Sequence, residues 1–168
     1  MQTPRSCQQH NPHQASSLST LLLDASVILA AFDADDDLHE STRTILADRT
    51  VTLATLDLAR YEVANVAVRA WRDPARVAPL LEVVDRISED GGVLNSTTAL
   101  LTRAAQLAEE HAISVYDAAY AAAASQSGGK LVSCDTRDLI SKGLASSPTS
   151  VHEEESPPPE ESSTEVQP

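Results

Sequence analysis

Leu21-Leu22-Leu23-Asp24-Ala25-Ser26-Val27-Ile28-Leu29-Ala30-Ala31-Phe32 decides the fold of this 168-residue chain. Three apolar residues run straight into an acid, and a helix-forming run follows from Ser26 to Ala31. A continuous apolar run of this length reads as a strand buried on both faces, the signature of an interior strand in a parallel sheet. Leu131-Val132-Ser133 has the same form near the other end of the chain, and Cys134-Asp135 follows it. Between these two runs, short strand candidates at Val51–Leu53 and Val93-Leu94 alternate with helical segments. That alternation predicts βα units and a three-layer α/β/α domain with a central parallel sheet.

Working outward, Asp33–Asp37 reads as an acidic loop and Leu38–Asp48 as a second helix. Leu56–Trp71 carries helical periodicity. Asp73-Pro74 breaks it and starts a further helix that reaches Ser88, with proline in the first turn. Ser96–Glu110 and the alanine-rich Asp117–Ser125 are helical, Ile113–Val115 is a short strand or turn, and a short helix is expected over Arg137–Ser141. Residues 1–17 and 146–168 hold few apolar groups. They are too poor in burial to offset their ordering entropy and read as disordered flanks of a single domain spanning 18–145.

The balance of charge is acidic: 12 Lys/Arg against 25 Asp/Glu, net −13. Six of the acids, Glu153, Glu154, Glu155, Glu160, Glu161 and Glu165, sit in the last stretch, which on its own reads as a solubilising run. An acidic domain is a poor prior for binding nucleic acid, since phosphate contacts supply most of the affinity. Only bound divalent cations would remove the objection. Cys7 and Cys134 have no metal-ligand spacing and form no expected disulfide. No signal peptide or membrane span is recognisable, so a cytoplasmic protein without membrane association is expected.

Ligands of open parallel sheets bind outside the carboxyl ends of the strands. Asp24 and Asp135 each follow an apolar run, so parallel strands put both carboxylates on one edge. Glu62 lies in a helical segment with Asn65 and Arg69 on the same face, and a solvated face is the competing reading. Ser114-Val115-Tyr116-Asp117 fits a capping box, so Asp117 has a structural explanation of equal weight. If the four acids converge, they cannot all stay ionised without cations. Oxygen-only ligands then select Mg²⁺ or Mn²⁺. No Ser-His-Asp set competes.

Four motifs together resemble the PIN-domain family, specifically the VapC-type toxins of toxin–antitoxin pairs: LLLDASVILAAF (21–32), ARYEVANV (59–66), SVYDAAYAAAA (114–124) and LVSCDTRDL (131–139). The resemblance covers about residues 20–145 and implies a PIN-like fold and a Mg²⁺- or Mn²⁺-dependent endoribonuclease. It makes Asp24, Glu62 and Asp117 metal ligands, with Asp135 a ligand directly or through water. Ser26, Asn65 and Ser133 are implied to orient the carboxylates or water. Asp138 could support Asp135, a helix N-terminal role being the stronger reading. The resemblance also implies an RNA substrate, a homodimer and a cognate antitoxin. Two alternatives stay open: a catalytically silent PIN-like RNA-binding module, and a DNA-directed nuclease of related fold. A calcium-loop reading of Asp33–Asp37 fails because Leu38 stands where glycine is required and Thr44 where glutamate is. Arg69 and Arg137 are the arginines nearest the motifs. His39 reads as a cap or solvent group, and Trp71 as core or interface.

Overall fold

The first strand, β1 (Thr20–Leu23), lies inside a sheet whose order is β3-β2-β1-β4, with every pairing parallel. The computed structural model describes residues 19–90 and 92–153. Leu21, Leu22 and Leu23 are consecutive and all buried, as the apolar run required. Each contributes about 1.5–3 kcal/mol by leaving water. Helix α1 (Ala25–Ala30) follows at once, then α2 (His39–Ala47), β2 (Thr52–Leu56) and α3 (Ala59–Arg69). A single 3₁₀ turn (Pro74–Arg76), capped by Asp73, leads into α4 (Val77–Asp90), β3 (Val93–Leu94), α5 (Thr98–His111), α6 (Val115–Ser127) and β4 (Lys130–Val132). A π-helical turn (Thr136–Ile140) and α7 (Pro148–Glu153) complete the described chain.

Helices flank the sheet on both sides, so the three-layer α/β architecture holds. α4 packs on β2, and α6 packs on β1, β2 and β4. Ala118–Ala124 of α6 are all buried, with Tyr120 the one large side chain among them. Alanine lets α5 and α6 approach closely. Enlarging the fully buried Ala123 to leucine would overpack the core around α6 at about 1–3 kcal/mol. Gly128 ends α6 with φ of 70°, and a Cβ on Gly129 would sit 3.1 Å from the Thr20 carbonyl oxygen. The Gly128-Gly129 pair therefore both stops the helix and lets the chain turn beneath β1.

Three expected boundaries move. β2 is not Val51–Leu53 but runs to Leu56, because Thr52–Thr55 pair with β1 while Thr55 and Leu56 pair with β3. The helix expected from Leu56 accordingly starts at Ala59. Ile113 and Ser114 form no strand, and Val115 already belongs to α6.

The ordered chain also continues past Ala145, through residues expected to be disordered. Ser146 bridges in parallel to Val132, donates from its amide to Leu131 O at 2.9 Å and accepts from the Ser133 amide at 3.1 Å. β4 is an edge strand with backbone groups to satisfy, and residue 146 satisfies them without any apolar side chain. Composition could not reveal that. Pro148 is buried, and α7 packs on α2. The readings of 1–17 and of 154–168 as disordered lie outside the described residues. No described helix is long and apolar enough to cross a membrane.

Candidate active site

Asp24 stands where β1 ends. Its amide still donates to Val132 O of β4 at 3.0 Å, and its side chain caps α1. It is 8% exposed. Two hydroxyls meet on one carboxylate oxygen: Ser133 Oγ donates to Oδ2 at 2.5 Å and Ser26 Oγ at 2.8 Å. The other oxygen, Oδ1, takes only a long 3.4 Å contact from the Ser26 amide. Each serine is itself held by a backbone amide. Ser26 Oγ accepts from the Cys134 amide and Ser133 Oγ from the Asp135 amide, both at 3.0 Å. The two serines thus tie the start of α1 to the loop after β4. Burial pushes the Asp24 carboxyl above its usual range, against the lowering effect of both serines, and the charge of Asp117 raises it further.

Glu62 is in the first turn of α3, half-buried, and accepts from Tyr120 Oη of α6 at 2.6 Å. Burial pushes it up to about 7. The tyrosine bond opposes the rise, and the charges of Asp24 and Asp117 add to it. Tyr120 is itself pushed up by burial and by Glu62, so it stays a donor.

Asp117 sits in the first turn of α6, with Ser114 as the expected cap. Ser114 Oγ accepts from the Asp117 amide at 3.1 Å and donates to Asp117 Oδ2 at 2.7 Å. Asp135 caps the π-helical turn, its Oδ1 accepting from the Arg137 and Asp138 amides, each at 2.9 Å. Asp138 is bound by Arg137 at 2.6 Å and 2.9 Å, which holds its carboxyl below the usual range; Lys142 Nζ lies 3.8 Å away.

The expected four acids therefore fall into two groups. Asp117, Asp135 and Asp138 offer carboxylate oxygens within 4.8 Å of one another. Asp24 and Glu62 are not members of that mutual group, but the charge of Asp117 acts on both. Asp138, expected first to mark a helix start and second to support Asp135, joins this group. Asn65 goes the other way. It is exposed, one turn beyond Glu62, and makes no hydrogen bond to the carboxylates among the described residues, because Glu62 reaches toward α6 while Asn65 faces water. Arg69 is also exposed, at the end of α3.

Sequence reading missed Tyr120 altogether, although its position three residues after Asp117 puts it on the same helical face. It also missed Asp57 just beyond β2, which fixes the loop after β3 by accepting from the Ser96 amide at 3.0 Å and from the Ser96 hydroxyl.

The PIN domain family matches residues 21–142, which include every one of these acids. The chain belongs to the PIN-domain family. Within it, Ribonuclease VapC3 of Pyrobaculum aerophilum is 36% identical over 125 residues, 73% of this chain and 93% of that protein. The chain is thus a VapC-type PIN domain. Two solved structures share the fold. VapC20 of Mycobacterium tuberculosis, a sarcin–ricin loop cleaving toxin, is 20% identical with a TM-score of 0.57, over 67% of this chain and 86% of that one. A toxin–antitoxin complex from Klebsiella pneumoniae is 17% identical with a TM-score of 0.57, over 76% and 97%.

The donor set of this PIN domain suits a hard divalent cation. All candidate ligands are carboxylate oxygens. Among the described residues Asp24 keeps Oδ1 nearly unbonded while its hydroxyl partners crowd Oδ2, and burial holds the Asp24 and Glu62 carboxyls above their usual range. Burial pushes the nearby Cys134 thiol up to about 12, and its soft sulfur is a poor match for a hard cation.

Proposed function

We propose that this protein is a Mg²⁺- or Mn²⁺-dependent endoribonuclease, the toxin of a toxin–antitoxin pair, that hydrolyses RNA phosphodiester bonds. One observation carries the reading. Three carboxylates lie within 4.8 Å of each other, and the charge of one of them, Asp117, acts on buried Asp24 and half-buried Glu62. The similarity to Ribonuclease VapC3 supports RNA as the substrate rather than DNA. The toxin–antitoxin complex of like fold supports an antitoxin partner. Exposed Tyr61, Val68, Leu101, Val115 and Tyr116 support association of two copies as a homodimer.

In this reading Asp24, Glu62, Asp117 and Asp135 hold the cation, with Asp138 beside them. The bound ion supplies charge for the phosphoryl oxygens and lowers the pKa of an attacking water. The chain's own residues do the rest. Ser26 and Ser133 hold the Asp24 carboxylate through Oδ2, which would leave Oδ1 available to a cation. Tyr120 fixes the Glu62 carboxylate by donating to Oε2, so that it is oriented before any cation binds. Arg137, almost fully exposed beside Asp138, is a candidate phosphate contact.

The test is cleavage of labelled RNA by purified protein with Mg²⁺, with Mn²⁺ and with EDTA, alongside DNA of the same sequence. Cleavage of RNA alone, lost in EDTA, is expected. Binding without cleavage in either metal would favour the silent RNA-binding module, and DNA cleavage the DNA-directed nuclease.

A further inference from the structure

We propose that the segment after Glu153, residues 154–168, docks in cis into a groove between α2 and α4, as a tethered occupant of that surface. The groove holds about 790 Å³. Its floor includes Phe32 and Leu46, and its rim carries Arg43, Arg49 and Arg86 against a single acid, Glu89. Among the described residues Arg43 and Arg86 make no ion pair, and both are exposed. In a chain of net charge −13, three arginines line one half-apolar groove, which also meets the acidic Asp33–Asp37 loop at Ala34.

The fold carries the acidic segment toward this groove. Ser146 is anchored on β4, Pro148 is buried, Val151 packs on the core, and α7 lies against α2, which forms one wall of the groove. The segment therefore starts from a helix that packs on one of the groove's two walls. Residues 154–168 read EESPPPEESSTEVQP, with Glu154, Glu155, Glu160, Glu161 and Glu165 as their charges and no basic residue. The triple proline at 157–159 favours an extended polyproline conformation, which lowers the ordering cost of docking. At about 3.1 Å per residue the segment reaches on the order of 45 Å. Helix α4, at about 1.5 Å per residue, is roughly 21 Å long. Reach is ample, and the direct attachment to α7 gives an effective concentration in the millimolar range. Weak individual Glu–Arg contacts suffice at such a concentration, whereas the same segment supplied in trans would bind far less completely.

This inference does not depend on the nuclease reading, and its test uses no cleavage assay. Hydrogen–deuterium exchange across α2 and α4 is compared in full-length chains: the natural one, one with all five tail glutamates changed to glutamine, and one carrying Arg43→Glu and Arg86→Glu. Exchange about threefold or more slower in the natural chain than in either variant is expected. The difference should vanish between 0.05 and 0.5 M NaCl, as the Debye length shortens. A third variant that pairs Arg43→Glu and Arg86→Glu with Glu160→Arg and Glu161→Arg should recover the slow exchange, which a merely structural effect of the arginine changes would not allow. Equal exchange in the natural and glutamine chains, or protection confined to other elements, overturns the proposal. So does protection that grows with protein concentration, because a second copy's tail would then be the occupant.

Discussion

The inner and outer acids of the site are held by different means. Asp24 is buried at a strand end and fixed by two serine hydroxyls that are themselves fixed by backbone amides. Glu62 is pinned by a buried tyrosine. Asp117 and Asp135 are half-buried and held chiefly by the helix caps they form. Asp138 is held by exposed Arg137. Asp24 is thus built into the core, and half-buried Glu62 is tied to it through Tyr120, where charge is costly and geometry is rigid. The outer set is attached to helix starts, where carboxylates are stable in their own right. Losing a charge inside should relieve the fold while destroying function. Losing one outside should cost function less and the fold little.

The largest expected effect is from Asp24→Asn. Asparagine keeps an oxygen for Ser26 and Ser133, so the fold survives, but the anionic ligand is gone. Cleavage should fall on the order of 10²–10³-fold, the several kcal/mol associated with losing a metal ligand. Retained circular dichroism with lost cleavage is the expected pair of results. Undiminished cleavage would remove Asp24 from the site.

Glu62→Gln should come next, and it separates stability from activity. Burial holds Glu62 up at about 7 from an ordinary value of 4.5. A carboxyl whose folded pKa is raised stabilises the fold fully below its unfolded pKa, and that contribution is lost as pH rises through the folded pKa. Metal-free protein should therefore melt at lower temperature at pH 8 than at pH 5. Mg²⁺ or Mn²⁺ should raise Tm at pH 8 and do little at pH 5. Glu62→Gln should flatten the metal-free profile and raise Tm at pH 8 by several degrees while cleavage drops by about 10²-fold. Thermal melts across that pH range, with and without Mn²⁺, check all three points. A metal-free Tm that rises from pH 5 to pH 8 would contradict the assignment of Glu62 as a carboxyl burdened by burial.

Among the outer acids, Asp135 can be tested by two substitutions. Asparagine caps helices as well as aspartate does, so Asp135→Asn should leave stability unchanged and lower cleavage about tenfold. Asp135→Ala should add a stability loss of about 1 kcal/mol, the usual worth of a cap. If both variants melt alike, the cap is not what holds this turn.

The same division explains what could be read from the sequence. Asp24 and Asp135 were legible because an apolar run followed by an acid says strand end, and parallel strands share an edge. The sheet was legible for the same reason. Asp117 was ambiguous because capping and ligation use the same residue type at the same place, and it does cap. Tyr120 was hidden in an alanine-rich helix, where its aromatic body reads as core. Only its hydroxyl, meeting α3 across the sheet edge, makes it part of the site. Asn65 is exposed and, among the described residues, makes no hydrogen bond to the acids, because helical spacing gives a face but not its neighbours. The structured stretch after Ala145 was invisible because it rests on backbone pairing and one buried proline.

The smallest effect should come from Lys142, which sits behind the outer acids. Its Nζ donates to the carbonyls of His111 at 2.6 Å and Ala112 at 3.1 Å and lies 3.8 Å from Asp138. Ala112 caps α5 at φ of 50°, a left-handed conformation that is costly for alanine. The lysine thus joins the strained end of α5, just before the Ser114 cap of Asp117, to the turn bearing Asp135 and Asp138. Lys142→Met keeps the stem and removes these bonds. Cleavage at saturating Mn²⁺ should fall only about two- to threefold, while the Mn²⁺ concentration for half-maximal activity shifts, since the charge beside Asp138 is lost as well as the tie. A purely structural lysine would lower Tm and leave the metal requirement unchanged. A shift in metal requirement with a Tm loss of only a few degrees would show that the outer acids are positioned through α5 as well as through their own caps.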